Sequence, residues 1–350
     1  MKTAVGLSGG VDSTLVALML KNQGCDVVGI SMSFYNSDLP EQDKQLTKAC
    51  YGRYEKQDIK DIHQWCIEQG IPHHTFNLSE EFKKTVLAYF KQTYLSGATP
   101  NPCVFCNTQV KFGLLLDKAR ESGISFDKFA TGHYARIIEK NGVCALVRGR
   151  DSKKDQSYFL YRLTPEQLSH IMFPLGDLTK EQVRQMAHDA GLIQAEKQDS
   201  QDFYNGDYTD LLDMQDQQGD IILTTGQVLG KHNGFWNYTI GQRKGLGIAY
   251  PQPLYVVALD NEHNAVIVGT QEALLSDKCY LGDCIWHHGF PTGQVMVKYR
   301  STGQLVSGYL KSDNGQTCLC FDEPQRALTP GQSAVIYQDD IVLGGGIILK

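Results

Sequence analysis

Two short stretches of this chain carry residues whose types and spacing can do chemistry. The first is Ser8-Gly9-Gly10-Val11-Asp12-Ser13. Adjacent glycines let a backbone turn tightly and point its N–H groups at an anion. A helix starting there adds partial positive charge, and Ser8, Ser13 and Thr14 offer hydroxyl donors. The predicted chemistry is phosphate cradling, although the string is neither a GxxxxGK(S/T) loop nor GxGxxG. The second stretch is Thr99-Pro100-Asn101-Pro102-Cys103-Val104-Phe105-Cys106-Asn107, a proline-pinned CxxC followed by a helix containing Lys111 and Phe112. Four chemistries fit that spacing. It is half of a zinc site, although Cys318-x-Cys320, His73-His74 and His287-His288 are poorly spaced second halves. It is a redox pair, although it does not directly follow a first strand. It supplies two iron–sulfur ligands and needs others. Or it presents a nucleophilic thiolate favoured by a helix N-terminus. Spacing alone leaves these open.

The elements that must position these residues follow from periodicity. Thr3 to Leu7 is a short apolar run suited to a buried parallel strand, and Asp12 opens a helix that Gly24 stops. Cys25 to Phe34 reads as a second strand. A helix near Asp58 to Gln69, a strand at His73 to Leu78 and a helix from Glu80 to about Tyr94 come next. A helix at Phe112 to Ser122 then leads into a strand ending near Ala130. Such alternation implies βαβ units and a parallel sheet. From 164 to about 215 the sequence reads as capped amphipathic helices without strands between them. From 219 it breaks into short Val, Ile, Thr and Tyr runs between turn residues, which predict small barrels. The expected domains are 1–163 (nucleotide-binding and catalytic), 164–218 (small, helical or mixed), 219–275 (small β) and 276–350 (C-terminal β-barrel).

Composition bounds the classes. The 33 Lys and Arg against 39 Asp and Glu give a net charge of −6 among 350 residues, which argues against a sequence-blind electrostatic nucleic-acid binder. No run approaches the ~18 apolar residues of a membrane span, and the N-terminus lacks signal-peptide regions. Ten cysteines are too sparse for a disulfide scaffold and are expected to be reduced thiols of a soluble, cytoplasmic protein. Cys25, Cys66, Cys144, Cys279 and Cys284 fall in strand or helix runs and read as core.

The string SGGVDS between a strand and a helix resembles the PP-loop of the ATP pyrophosphatase superfamily, which splits ATP into AMP and pyrophosphate. SGGVDS is followed in order by TPNPCxxCNxxxKF, ATGHYARI, KDQSYFL, YTIGQRKGLGI, VKYR and LGGGII. Together they resemble the tRNA-specific 2-thiouridylase (MnmA) family from Ser8 to Ile348. The resemblance implies a PP-loop α/β fold with helices on both faces of a parallel sheet. A small helical region and C-terminal β-barrel-like domains would follow. It implies ATP with Mg2+ as cofactors, the magnesium near Asp12. Adenylation of the C2 oxygen of a wobble uridine in tRNA would precede replacement of that oxygen by sulfur. It places Gly6, Leu7, Ser8, Gly9, Gly10, Val11, Asp12, Ser13, Met32 and Gly132 at the nucleotide. Cys106 matches the family's nucleophile, with Cys103 beside it in catalysis. Asn101, Pro102 and Cys103 match the stretch approaching the flipped base, and Lys154, Asp155, Gln156, Tyr299 and Arg300 match tRNA-contacting stretches. Lys154 and Arg300 suit phosphates and Tyr299 suits stacking. The implied partners are tRNA and a sulfur donor, either a persulfide carrier protein or sulfide, served by a monomer with no membrane.

The chain departs from the family at one site. Relatives carry a second cysteine in a segment like KxDSQxxCF, where it holds persulfide sulfur, whereas here Tyr204 follows Phe203 in that place. Tyrosine cannot carry sulfane sulfur. The alternatives are a relay divided between Cys103 and Cys106, an iron–sulfur cluster on those two cysteines with another ligand, another sulfur source or substrate, or a tRNA- and ATP-binding paralogue without thiolation. Cys50-Tyr51 also stands where relatives often show two adjacent cysteines.

Overall fold

A computed structural model of the chain describes residues 1–35, 50–52, 55–192, 203–204 and 206–349. Residues 196–202 and Asn205, which flank Phe203-Tyr204, lie outside them. Two compact units are present. The first comprises Met1–Val86, Cys103–Tyr208 and Asp340–Val342, the second Leu87–Pro102, Thr209–Asp339 and Leu343–Lys350.

In the first unit, β1 (Lys2–Gly6), β2 (Asp26–Ser33), β3 (His73–Asn77), β4 (Lys128–Ala130) and β5 (Ile171–Met172) form one sheet in the order β3-β2-β1-β4-β5. Every pairing is parallel. Such sheets are covered on both faces, and their strands are accordingly apolar throughout: Ala4, Val5 and Ile30 are fully buried. Side chains alternate across a strand. Ala130 therefore joins the core formed with helices α1 (Val11–Asn22) and α2 (Glu55–Glu68). Its neighbour Phe129 meets Phe112 edge-on from the opposite face at 5.6 Å. Helices thus cover both faces, as expected.

The stretch read as helical without strands contains β5, because the helix opened by the Thr164 capping box ends at Ser169. Two residues of backbone pairing beside β4 outweigh the helical pattern there. Helix α3 (Lys180–Asp189), opened by a second capping box at Thr179, buries Val183 and Ala187 in the same core as Leu15 and Val16 of α1.

The second unit contains a four-stranded sheet built from Gly219–Leu223, Val228–His232, Tyr255–Asp260 and Ala265–Gly269. Six further strands run from Leu275 to Ile348, and pairing of the first (Leu275–Trp286) with the last (Ile341–Ile348) closes them into a barrel. Closure leaves no strand edge. Leu281, Val297, Leu319 and Ile336 fill its interior.

Candidate active site

β1 pairs with β2 on one side and β4 on the other, so chain order reverses at β1. In parallel α/β sheets, ligands bind beyond the strand C-termini at such a switch point. There the turn after β1 carries Ser8 to Gly10, and the turn after β4 carries Thr131 to His133.

The phosphate loop is shaped by close approach. Gly9 has φ +75°, and a Cβ there would lie 2.9 Å from Asp58 Cβ. A Cβ at Gly132 would lie 2.9 Å from Asp12 Cβ and Ser13 N. Only glycine lets the two turns meet. Ser13 Oγ donates to the Gly10 carbonyl at 3.1 Å and Thr14 Oγ1 does so at 3.0 Å. Thr14, expected as an anion donor, is therefore fully buried and committed to the backbone. Ser8 remains exposed.

A cavity of about 360 Å³ opens at this point. Gly6, Leu7, Ser8, Gly10, Val11, Asp12, Ser13, Met32 and Gly132 line it, which covers every residue expected at the nucleotide except Gly9. Ile30, Phe34 and Ile59 supply apolar wall, while Glu55, Asp58 and Lys111 add charge. Glu55 accepts the Phe34 and Tyr35 N–H groups at 2.6 Å, and burial raises its pKa. Lys154 and Gln156, expected on a tRNA-contacting surface, also line the cavity. Asp155 between them is buried and accepts from the N–H groups of Gly149 and Ser157 at 3.0 and 3.1 Å and from the Arg148 side chain. It holds the turn that presents its two neighbours.

One residue was not foreseen. Lys180 Nζ donates to both carboxylate oxygens of Asp12, at 2.8 and 2.9 Å, and Tyr134 Oη donates to Asp12 Oδ1 at 3.0 Å. The Lys180 side chain is 8% exposed and that of Asp12 26%. A lysine in the first turn of a helix opposes the macrodipole. That local misfit was the one signal in the sequence pointing to a partner elsewhere.

Cys106 begins a π-type stretch (Cys106–Leu114) that continues the helical turn Pro102–Phe105. Burial pushes its thiol up to about 11, against a lowering influence from Lys111 and a further raising one from Cys50. The resting group is a thiol, not the activated thiolate that a helix N-terminus would give. Lys111 Nζ lies 3.5 Å from His133 Nε2, and His133 Nδ1 lies 2.8 Å from Thr131 Oγ1. Burial, with Lys111 beside it, holds the His133 pKa well below the ordinary value, so the ring is neutral near pH 7. Cys103 is half-buried. Among the described residues, no three His, Cys, Asp or Glu side chains assemble a metal site.

Tyr204 is 2% exposed, stacked on Tyr208 at 6.4 Å and tilted against Tyr51 at 6.3 Å. It is packed as a core aromatic. In the second unit, Asn101 is buried and its N–H donates to Tyr89 Oη at 3.1 Å, while Pro102 is half-buried. Tyr299 Oη donates to Gln325 Oε1 at 3.2 Å, and the Arg300 guanidinium lies 6.0 Å from the Tyr299 ring centre.

Fold and site together define a nucleotide-binding α/β protein with a glycine phosphate loop, a cysteine beside its cavity and β domains downstream. Residues 1–204 match the tRNA methyl transferase HUP domain, 212–270 the tRNA methyl transferase PRC-barrel domain and 276–348 the aminomethyltransferase β-barrel domain. A tRNA-specific 2-thiouridylase MnmA of Endomicrobium trichonymphae is 44% identical, covering 100% of this chain and 99% of that protein. Those of Syntrophotalea carbinolica (43%, covering 98% and 97%) and Microcystis aeruginosa (44%, covering 99% and 98%) are also similar. The chain belongs to the tRNA-specific 2-thiouridylase family.

Proposed function

We propose that this protein is a tRNA-uridine 2-sulfurtransferase that uses ATP with Mg2+ to activate the uracil C2 oxygen and then replaces that oxygen with sulfur. The observation that carries the reading is the coincidence, in one cavity, of the Ser8–Ser13 loop with Lys111, the residue whose charge reaches Cys106. Methyl transfer, named in two of the domain descriptions, does not call for a phosphate loop.

Backbone N–H groups of the loop and the α1 N-terminus bind the phosphates. Transfer of AMP to the C2 oxygen turns a poor leaving group into a good one. The uridine is taken out of its stem-loop to reach the cavity. Cys106 loses its proton once substrate is bound, with the Lys111 ammonium stabilising the thiolate, and takes part in releasing or delivering sulfur. Neutral His133 offers a hydrogen bond at the same place. Lys154 and Gln156 sit where the nucleotide and the target strand converge, and Tyr299 and Arg300 of the second unit contact the tRNA backbone. Residues 1–163 carry the chemistry, 164–218 the stem contact, and the 219–275 and 276–350 β domains the remaining grip. The sulfur comes from a persulfide carrier or sulfide, and one chain acts on one tRNA.

The test is anaerobic incubation with unmodified tRNA, ATP, magnesium and a persulfide or sulfide donor, followed by nucleoside mass analysis. The expected result is 2-thiouridine from the wild type and none from Cys106→Ala. Its absence in every wild-type reaction, with tRNA and ATP still bound, overturns the reading in favour of a paralogue that has lost thiolation.

A further inference from the structure

We propose that Cys50 is the second thiol of this site, the bearer of the sulfur that Cys106 then releases; the proposal rests on the thiolation reading above.

Cys50 is exposed and lines the nucleotide cavity together with Lys111, which stands about one turn from Cys106 along the same π-type stretch. Its position is fixed by its neighbour. Tyr51 is buried, stacks on Phe82 at 5.3 Å and on Phe203 at 5.9 Å, and its N–H donates to the Phe203 carbonyl at 2.9 Å. The cavity-lining Phe34 stacks on Phe82 at 4.4 Å and closes the cluster. These contacts hold Cys50 at the cavity, on the backbone that packs against Phe203 and Tyr204. Tyr204 itself has no thiol and is buried.

The two thiols differ in a way that suits two roles. Exposed Cys50 can meet a sulfur donor, whereas Cys106 is crowded by protein and has a raised pKa, so it reacts late, inside the filled site. In the first step the Cys50 thiolate attacks the outer sulfur of a persulfide donor, forming a Cys50 persulfide and releasing the donor thiolate. The outer sulfur, as an anion, attacks C2 of the adenylated uracil, and AMP leaves with the former C2 oxygen. The Cys106 thiolate then attacks Cys50 Sγ. The bond between Sγ and the transferred sulfur breaks, its electron pair stays on the sulfur now bound to C2, and a Cys50–Cys106 disulfide forms. Two thiols are oxidised as one sulfane sulfur is reduced, and a small dithiol resets the pair.

The experiment uses the full chain in one turnover with tRNA, ATP, magnesium and inorganic polysulfide, without reductant, followed by alkylation and peptide mass mapping. Polysulfide alone should add the mass of about one sulfur atom at Cys50. Turnover should then yield a Cys50–Cys106 linkage, and Cys50→Ser should lose at least ~100-fold in 2-thiouridine, with Cys144→Ser as the unaffected control. A Cys103–Cys106 linkage, or full product from Cys50→Ser while Cys106→Ala is inactive, overturns the proposal and leaves the thiolation reading standing. No product from the wild type overturns both. A Cys50→Ser chain that melts as the wild type does but makes no product excludes misfolding as the cause.

Discussion

Replacing Lys180 with methionine removes the ammonium that meets both oxygens of Asp12 and keeps most of the buried stem. Breaking a fully buried ion pair costs about 3–5 kcal/mol, because the surviving charge is stranded. Asp12 is 26% exposed and keeps its hydrogen bond from Tyr134, so a value just below that range, ~2.5 kcal/mol, applies. Removing a cation from the first turn of α3 returns about 0.5 kcal/mol. The net loss is about 2 kcal/mol, or roughly 5 °C in the melting temperature of a domain this size. Scanning calorimetry of wild type, Lys180→Met, Asp12→Asn and the double variant gives the coupling, expected above ~1 kcal/mol. ATP affinity should also fall in Lys180→Met, since Asp12 lies in the phosphate loop. A melting temperature unchanged within error, with coupling below ~0.3 kcal/mol, would refute the assignment of Lys180 as the residue that holds this loop.

Three further outcomes follow from the site. Alkylation of Cys106 by iodoacetamide should rise about tenfold per pH unit from neutrality toward its pKa of about 11, and Lys111→Met should slow it; a plateau near pH 8 would contradict a thiol pushed up by desolvation. Burial lowers the pKa of His73 to about 4, with His63 and His74 contributing, and that of His133 well below the ordinary value. The folded state therefore binds fewer protons than the unfolded one, and stability should fall as pH drops below 6.5. Urea titrations of wild type and His133→Gln across that window should show a shallower loss for the variant. Gly132→Ala places a methyl group 2.9 Å from Asp12 Cβ and Ser13 N, and should weaken ATP binding by at least an order of magnitude in calorimetric titration; unchanged affinity would mean the two turns separate freely.

The sequence by itself determined the local geometry of this protein. Adjacent glycines at 9 and 10, an apolar run before them and Gly24 after the helix are short-range signals. Turn, strand and helix stop are decided by neighbours a few residues apart, which is why the phosphate loop, the alternation of strands and helices and the run of short C-terminal strands were legible. Family order pointed to Cys106 and to the stretches expected to contact tRNA. Tertiary structure decided what distant residues do to one another. Lys180 reaches Asp12 across 168 positions; its capping box predicted a helix but not the helix's docking against α1. Ile171–Met172 becomes a strand because β4 offers it unpaired backbone. Asp155 reads as a surface charge between Lys154 and Gln156, yet it is buried because N–H groups at Gly149 and Ser157 converge on it. Burial also sets Cys106 as a thiol and His133 as a neutral ring. Desolvation depends on every atom packed around a group, and no spacing along the chain encodes that sum.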